Sequence, residues 1–246
     1  MMLIRLFSLA LMFVLAFPLN LHAQVPGASG GDAPTSEELF QIFENFRASY
    51  EKVEDYTAKL HKEERNENGK WHKEIIDFKF KKPFALRMKW LQGSDREAAF
   101  VEGKYNNKIA VRPGGLIGII IPKVHLDPDS NMAKDDAGHT IREAGLGYMM
   151  EEIVKVTEDA HGKGDLGLKL LNTEKKNGGS GNILKVERTL PGGKGYKTEK
   201  LIIYVDEELG LPVGVERYDA KGKVFGKYYY RDLKVNQGLK DSVFKL

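Results

Sequence analysis

Residues able to do chemistry are densest between His125 and His139, where His125, Asp127, Asp129, Asn131, Asp135, Asp136 and His139 fall within one turn-rich stretch. Asp127-Pro128-Asp129-Ser130-Asn131 opens like a calcium loop, in which alternate oxygen donors wrap a hard cation. Met132 stands where such a loop turns on glycine, and Gly138 stands where its closing bidentate Glu belongs. The stretch therefore reads as a solvated loop, and no metal is expected. Two glycine clusters, Asn177-Gly178-Gly179-Ser180-Gly181 and Pro191-Gly192-Gly193-Lys194-Gly195, look superficially like phosphate loops. Neither has the spacing or the strand-to-helix setting that aims backbone N–H groups at a phosphate, so both read as hairpin turns. Ser180 precedes a strand, which excludes a nucleophile elbow. His61 and His72 lie among charges on strand-like segments. The chain has no Cys, so disulfides, thiolate metal sites and thiol nucleophiles are excluded. No acid–base pair stands out. The expectation is a protein that is not an enzyme and carries no cofactor.

The remaining candidate is an apolar surface. In Ile75–Trp90, Ile76, Phe78 and Phe80 alternate with Asp77, Lys79 and Lys81; after Lys82-Pro83, Leu86, Met88 and Trp90 alternate with Arg87 and Lys89. Period-two alternation on both sides of a proline predicts two neighbouring antiparallel strands, each with one apolar face. Phe78, Phe80, Leu86, Met88 and Trp90 are candidate cavity-lining residues, together with Phe43, Met149 and Met150 from helical segments. Methionine repacks easily around irregular ligands. An acyl chain gains about 0.8 kcal/mol per buried CH₂, so an apolar cavity holds a lipid without specific polar contacts. Leu116, Ile117 and Ile120 belong to a second apolar run, Leu116–Ile121, flanked by glycines. It reads as a gate over a ligand, as a plain strand, or as a membrane-contacting loop.

The elements that position these residues follow from periodicity. Thr35-Ser36-Glu37-Glu38 fits a capping box, and Leu39, Phe43, Phe46, Tyr50 and Val53 recur at helical spacing over Ser36–Glu54. From Asp55 the period becomes two, and a meander of about five strands reaches Val111, with hairpin turns at Asn66–Lys70, Gln92–Asp95 and Glu102–Lys104. Residues 112–145 break the pattern. Leu146, Met149, Met150, Ile153 and Val154 mark a second amphipathic helix ending near Gly162. Strands return over Leu166–Glu174, Ile183–Leu190, Lys197–Val205, Leu211–Tyr218 and Val224–Val235. Ten or eleven short strands with two or three helices predict an α+β fold. The sheet is antiparallel, strongly curved and unclosed, a half-barrel with helices on its concave face.

The first residues carry the layout of a secretory signal: Arg5, an apolar run from Leu6 to Phe17, and Leu21-His22-Ala23 before a cleavage point. That run is shorter than the roughly 20 residues that span a bilayer, so cleavage after Ala23 is expected. Residues 24–35 then form a flexible leader and 36–246 a single domain. The formal net charge is only +3, with basic and acidic residues interleaved, which speaks against nucleic acid as a partner.

Several of these segments resemble known families. Phe78–Trp90, with Lys82-Pro83-Phe84 followed by Arg87 and Trp90, resembles the strand, basic-Pro, aromatic-strand segment of periplasmic lipoprotein carriers of the LolA type. Tyr204-Val205-Asp206, Gly210-Leu211-Pro212, Arg217-Tyr218-Asp219 and Tyr230-Arg231-Asp232-Leu233-Lys234-Val235-Asn236 follow the same order, as do Gly238-Leu239 and Phe244. Thr140–Ile153 is similar to the DUF1571 group of exported bacterial proteins, in the superfamily that also holds LppX and RseB relatives. The resemblance implies an unclosed barrel with a helical lid over a cavity for acyl chains. It also implies a cargo-positioning role for a basic residue before the proline, here Lys82. The expected function is a soluble, monomeric periplasmic carrier or chaperone shielding acyl chains of a lipid or lipoprotein, with envelope membrane proteins as possible partners. The alternative is an interaction or sensor module that uses the same fold to bind another envelope protein.

Overall fold

The computed structural model describes residues 33–65, 68–92, 95–135, 138–176 and 181–246. The expected signal and most of the expected leader lie outside the described residues, as do Asn66-Glu67, Gly93-Ser94, Asp136-Ala137 and residues 177–180, where a glycine turn is expected. Eleven strands form one antiparallel sheet. They are β1 (Asp55–Arg65), β2 (Trp71–Lys81), β3 (Ala85–Trp90), β4 (Glu97–Val101), β5 (Ile109–Arg112), β6 (Val124–Leu126), β7 (Gly167–Lys175), β8 (Asn182–Thr189), β9 (Lys200–Asp206), β10 (Leu211–Tyr218) and β11 (Val224–Val235). Their order is β6-β5-β4-β3-β2-β1-β11-β10-β9-β8-β7. The two edges, β6 and β7, do not meet, so the sheet is unclosed as predicted. Register shifts within β1, β7 and β10 mark bulges, which bend a strand locally.

Among the described residues four α-helices accompany the sheet: α1 (Ser36–Glu44), α2 (Phe46–Glu51), α3 (Gly115–Ile120) and α4 (Leu146–Gly162). The capping box at Thr35 is present, with Thr35 N–H donating to Glu38 at 2.8 Å. The single helix expected over Ser36–Glu54 is two. Asn45 ends one and begins the other, and its side-chain amide donates to the Gln41 carbonyl at 2.9 Å. The Asn45 N–H reaches the same carbonyl at 3.3 Å, so side chain and backbone share one acceptor where the two helices meet.

Residues 112–145 also differ from the reading. Leu116–Ile121 is neither strand nor extended loop but mostly the short helix α3. Val124–Leu126 adds an edge strand to β5, which three residues were too few to announce. The closing segment is a 3₁₀ turn, Asp241–Phe244, which buries Phe244.

Two apolar cores share the covered face of the sheet. Helices α1, α2 and α4 place Leu39, Phe40, Phe43, Phe46, Met150 and Ile153 over Leu184, Val186, Ile203 and Val205 of β8 and β9. The other core lies on β1–β5 and is closed mainly by Ile141, Leu146 and Val53. Tyr50, Met149 and Tyr228 pack against both.

Candidate functional site

Register aligns the predicted inner wall. Phe78 pairs with Ala58 and Met88; Phe80 with Tyr56 and Leu86; Ile76 with Leu60 and Trp90. Because side chains alternate across a strand, these residues share one face. Phe78, Phe80 and Leu86 are buried, while Met88 and Trp90 are half-buried at the margin. Phe43 and Met150 sit in the other core, and Met149 lies between the two. Leu116, Ile117 and Ile120 join neither; they stand in solvent.

The cover over Phe78 and Phe80 is the start of α4. Gly145 adopts φ +111, and a side chain there would meet the Tyr56 hydroxyl at 3.1 Å and both Phe rings at 3.8 Å. One residue on, the Leu146 N–H donates to the buried Tyr56 hydroxyl at 2.8 Å. A Cβ on Gly147 would lie 2.6 Å from the Tyr50 hydroxyl. The first N–H groups of a helix have no partner within it, and here tyrosines from the sheet and from α2 take that part. Burial raises the Tyr56 and Tyr230 phenols well above their ordinary value, and pushes Tyr50 up to about 12. All three remain neutral acceptors.

Upstream of α4, residues 127–135 and 138–145 run over the same face with two 3₁₀ turns, Asn131–Ala133 and Ile141–Glu143. Polar contacts pin this cover to β1 and β11. Lys62 pairs with Asp135, and with Glu64 at 3.3 Å. The His139 ring is 3.2 Å from Glu64, and Tyr228 donates to the same carboxylate. Arg142 donates to Glu102 at 2.7 Å. Burial works to raise the Glu64 carboxyl, yet His139, Tyr228 and Lys62 hold it at about 2. The hydrogen bond to Glu64 raises His139 above 6.5, against the opposing effect of burial. At the sheet's other margin, Glu74 accepts from the Trp90 indole at 2.7 Å, and Arg96 stacks 3.9 Å over that ring. This polar rim was not anticipated. The signal for it was in β1: extending Tyr56, Ala58, Leu60 by two more steps of two puts Lys62 and Glu64 on the inner face. Asp135 and His139, expected in a solvated loop, are instead its half-buried fasteners.

Lys82 has a specific setting. Its ammonium donates to the Tyr50 and Glu51 carbonyls at 2.9 and 3.0 Å and lies 4.8 Å from the Tyr50 ring. A cation on the last carbonyls of a helix satisfies orphan acceptors and complements the helix dipole. Lys82 thus ties α2 to the sheet in this conformation.

The chain can now be set beside known proteins. No curated protein matches it. Among solved structures it is similar to MucB, at 12% identity over 86% of this chain and 62% of that one, with a TM-score of 0.47. It therefore spans about three fifths of MucB's length. It is also similar to the lipoprotein LppX of Mycobacterium tuberculosis, at 13% identity over 82% of this chain and 96% of that one, TM-score 0.46. A LolA superfamily protein from Nitrosomonas europaea is 12% identical over 87% of this chain and 99% of that one, TM-score 0.36. The family model described as protein of unknown function, DUF1571, matches residues 53–246, from the entry to β1 through the last residue. The chain belongs to the DUF1571 family.

Proposed function

We propose that the protein is an exported carrier that shelters acyl chains of a lipid or lipoprotein against the inner face of β1–β5, acting by binding and not by catalysis. The observation that carries the proposal is the division of labour between the two covers. The β7–β10 half is closed by α1, α2 and most of α4. The half with Phe78, Phe80, Leu86, Met88 and Trp90 is closed by residues 127–135 and 138–145, the first turn of α4, and Val53 just after α2. Lifting that segment breaks side-chain pairs such as Lys62–Asp135 and His139–Glu64, but leaves the β1–β5 ladder intact. It opens an apolar wall edged by adaptable Met88 and Met149. Lys62, Glu64, Tyr228 and Arg96 then form a polar rim suited to a headgroup, while the wall takes the chain. Segments with few buried contacts open at a fraction of the global free energy.

Two tryptophans give the test. Trp90 is on the wall, whereas Trp71 lies on the opposite face of β2, beside Arg65. In a Trp71→Phe variant, a brominated fatty acid is expected to quench Trp90 emission saturably. Lipid should also co-purify with protein taken from the exporting cell. Unsaturable quenching together with lipid-free protein overturns the proposal.

A further inference from the structure

The ten residues from Pro113 to Pro122 contain no polar or charged side chain. Their helix α3 joins β5 to the edge strand β6 and packs into neither core. Leu116, Ile117, Ile119 and Ile120 are 80, 61, 77 and 81% exposed. Soluble monomers rarely expose a contiguous apolar patch above a few hundred Å² without a use for it. We propose that α3 is a membrane-docking tip that inserts into the surface of a bilayer carrying anionic headgroups.

Three features select a bilayer over a protein groove. First, the four aliphatic side chains fan over roughly 160° of the helix at 3.6 residues per turn, and the remaining side carries only Gly115 and Gly118. A partner groove receives a stripe; hydrocarbon receives the whole arc and asks for no shape match. Second, the tip is purely aliphatic. The Trp, Tyr and Arg anchors that dominate protein interfaces are absent from it. Third, Arg112 and Lys123 stand at its two ends; Lys123 is exposed and donates to the Leu246 carbonyl oxygen at 2.7 Å. Arg112 reaches Glu97 at 3.3 Å and stays about half exposed. Cations flanking an apolar insertion add attraction to anionic lipid. Docking here does not rest on the acyl-chain reading, since the tip is separate from the inner wall.

The test is flotation with phosphatidylglycerol-containing vesicles and with neutral phosphatidylcholine vesicles. Wild-type protein is compared with Ile117→Asp/Ile120→Asp and with Arg112→Gln/Lys123→Gln. All three share the same N-terminus, fixed by mass spectrometry, so differences report the tip. Wild type is expected to float with anionic vesicles and less with neutral ones. The double Asp variant should bind at least tenfold more weakly, because burying one aliphatic side chain is equivalent to roughly tenfold or more in affinity. Its melting temperature should match wild type, since both side chains are in solvent. The double Gln variant should lose the preference for anionic vesicles and keep the neutral background. Three results overturn the proposal: wild type that ignores both vesicles, Asp variants that float like wild type, or a wild-type dimer in light scattering that the Asp variant dissolves. The last would assign the tip to a second copy of the chain. Quenching of Trp90 by the brominated fatty acid should survive in the Asp variant, so failure of either reading leaves the other standing.

Discussion

Replacing Tyr56 by Phe removes one oxygen from a fully buried site. Tyr56 is buried, and its hydroxyl accepts from the Leu146 N–H at 2.8 Å. The ring itself has little reason to move. It stacks on Phe78 and Phe80 with centroids 5.9 and 5.3 Å away, contacts that Phe preserves. What remains is a helix N–H buried without a partner, which costs about 1–3 kcal/mol. For a chain of this size each kcal/mol lowers the melting temperature by about 2–4 °C, so the expected drop is about 2–12 °C. Thermal and urea unfolding followed by circular dichroism measure it. Hydrogen exchange should also quicken at residues 146–149 before it quickens in β8 or β9. A variant that melts within a degree of wild type, with unchanged exchange at Leu146, refutes the claim that Tyr56 caps α4 and closes the inner wall.

The cover should respond to pH through His139. Its folded value is raised above 6.5 by Glu64, with Asp135 adding to the effect and burial and Lys62 opposing it. The stability it contributes is complete below 6.5 and is lost as pH rises through the raised folded value. Exchange protection of residues 138–143 should therefore fall on going alkaline and become flat with pH in His139→Gln. Lys82→Met should free the Tyr50 and Glu51 carbonyls, loosening α2 by about 0.3–1 kcal/mol as judged from local exchange, with fatty-acid quenching of Trp90 retained. Reduced quenching in that variant, with α2 unaltered, would return Lys82 to a cargo role. Arg188 is buried beneath α4; among the described residues its guanidinium donates to the Ile153 carbonyl and the Thr157 hydroxyl, both at 3.3 Å, and burial lowers it to about 10. Exchanging a poorly compensated buried charge for an apolar side chain is commonly neutral or stabilising, so Arg188→Met should hold or raise the urea midpoint. A large loss would mean that the guanidinium has an anionic partner in solution.

The sheet was legible in the sequence because burial on one face writes itself as period two. Tyr56-Ala58-Leu60, Ile76-Phe78-Phe80 and Leu86-Met88-Trp90 could be read directly, and the register then placed them side by side. The order of strands was not legible. Nothing local to Tyr56 or Tyr230 announces that the first and last long strands pair, because that choice is made by contacts across 170 residues of chain. The break at Asn45 was hidden because the apolar spacing continues through it, from Phe43 to Phe46 and Tyr50. The polar rim was hidden for a different reason. Lys62 and Glu64 are ordinary surface residues by type, and only His139, Asp135 and Tyr228 arriving from elsewhere make them buried fasteners. In the C-terminal motif, Asp55 accepts from the Gln237 and Leu239 N–H groups at 2.6 and 2.8 Å, and Asn236 accepts from the Glu54 N–H at 2.8 Å. Those residues clamp the two ends of the fold. Spacing alone did not reveal that.

The pairing of β1 with β11 sets a clock for biosynthesis. Tyr56 meets its β11 partner Val235 only after everything between the two strands has been made. Until then β1 is an open edge, able to pair with any strand that comes near. Contacts of such long sequence separation form slowly. The same delay leaves a truncated chain dangerous. A product ending before Val224 lacks β11 and leaves the β1 edge unpaired, and it should be recovered in inclusion bodies or bound to chaperones, while the chain through Leu246 is not.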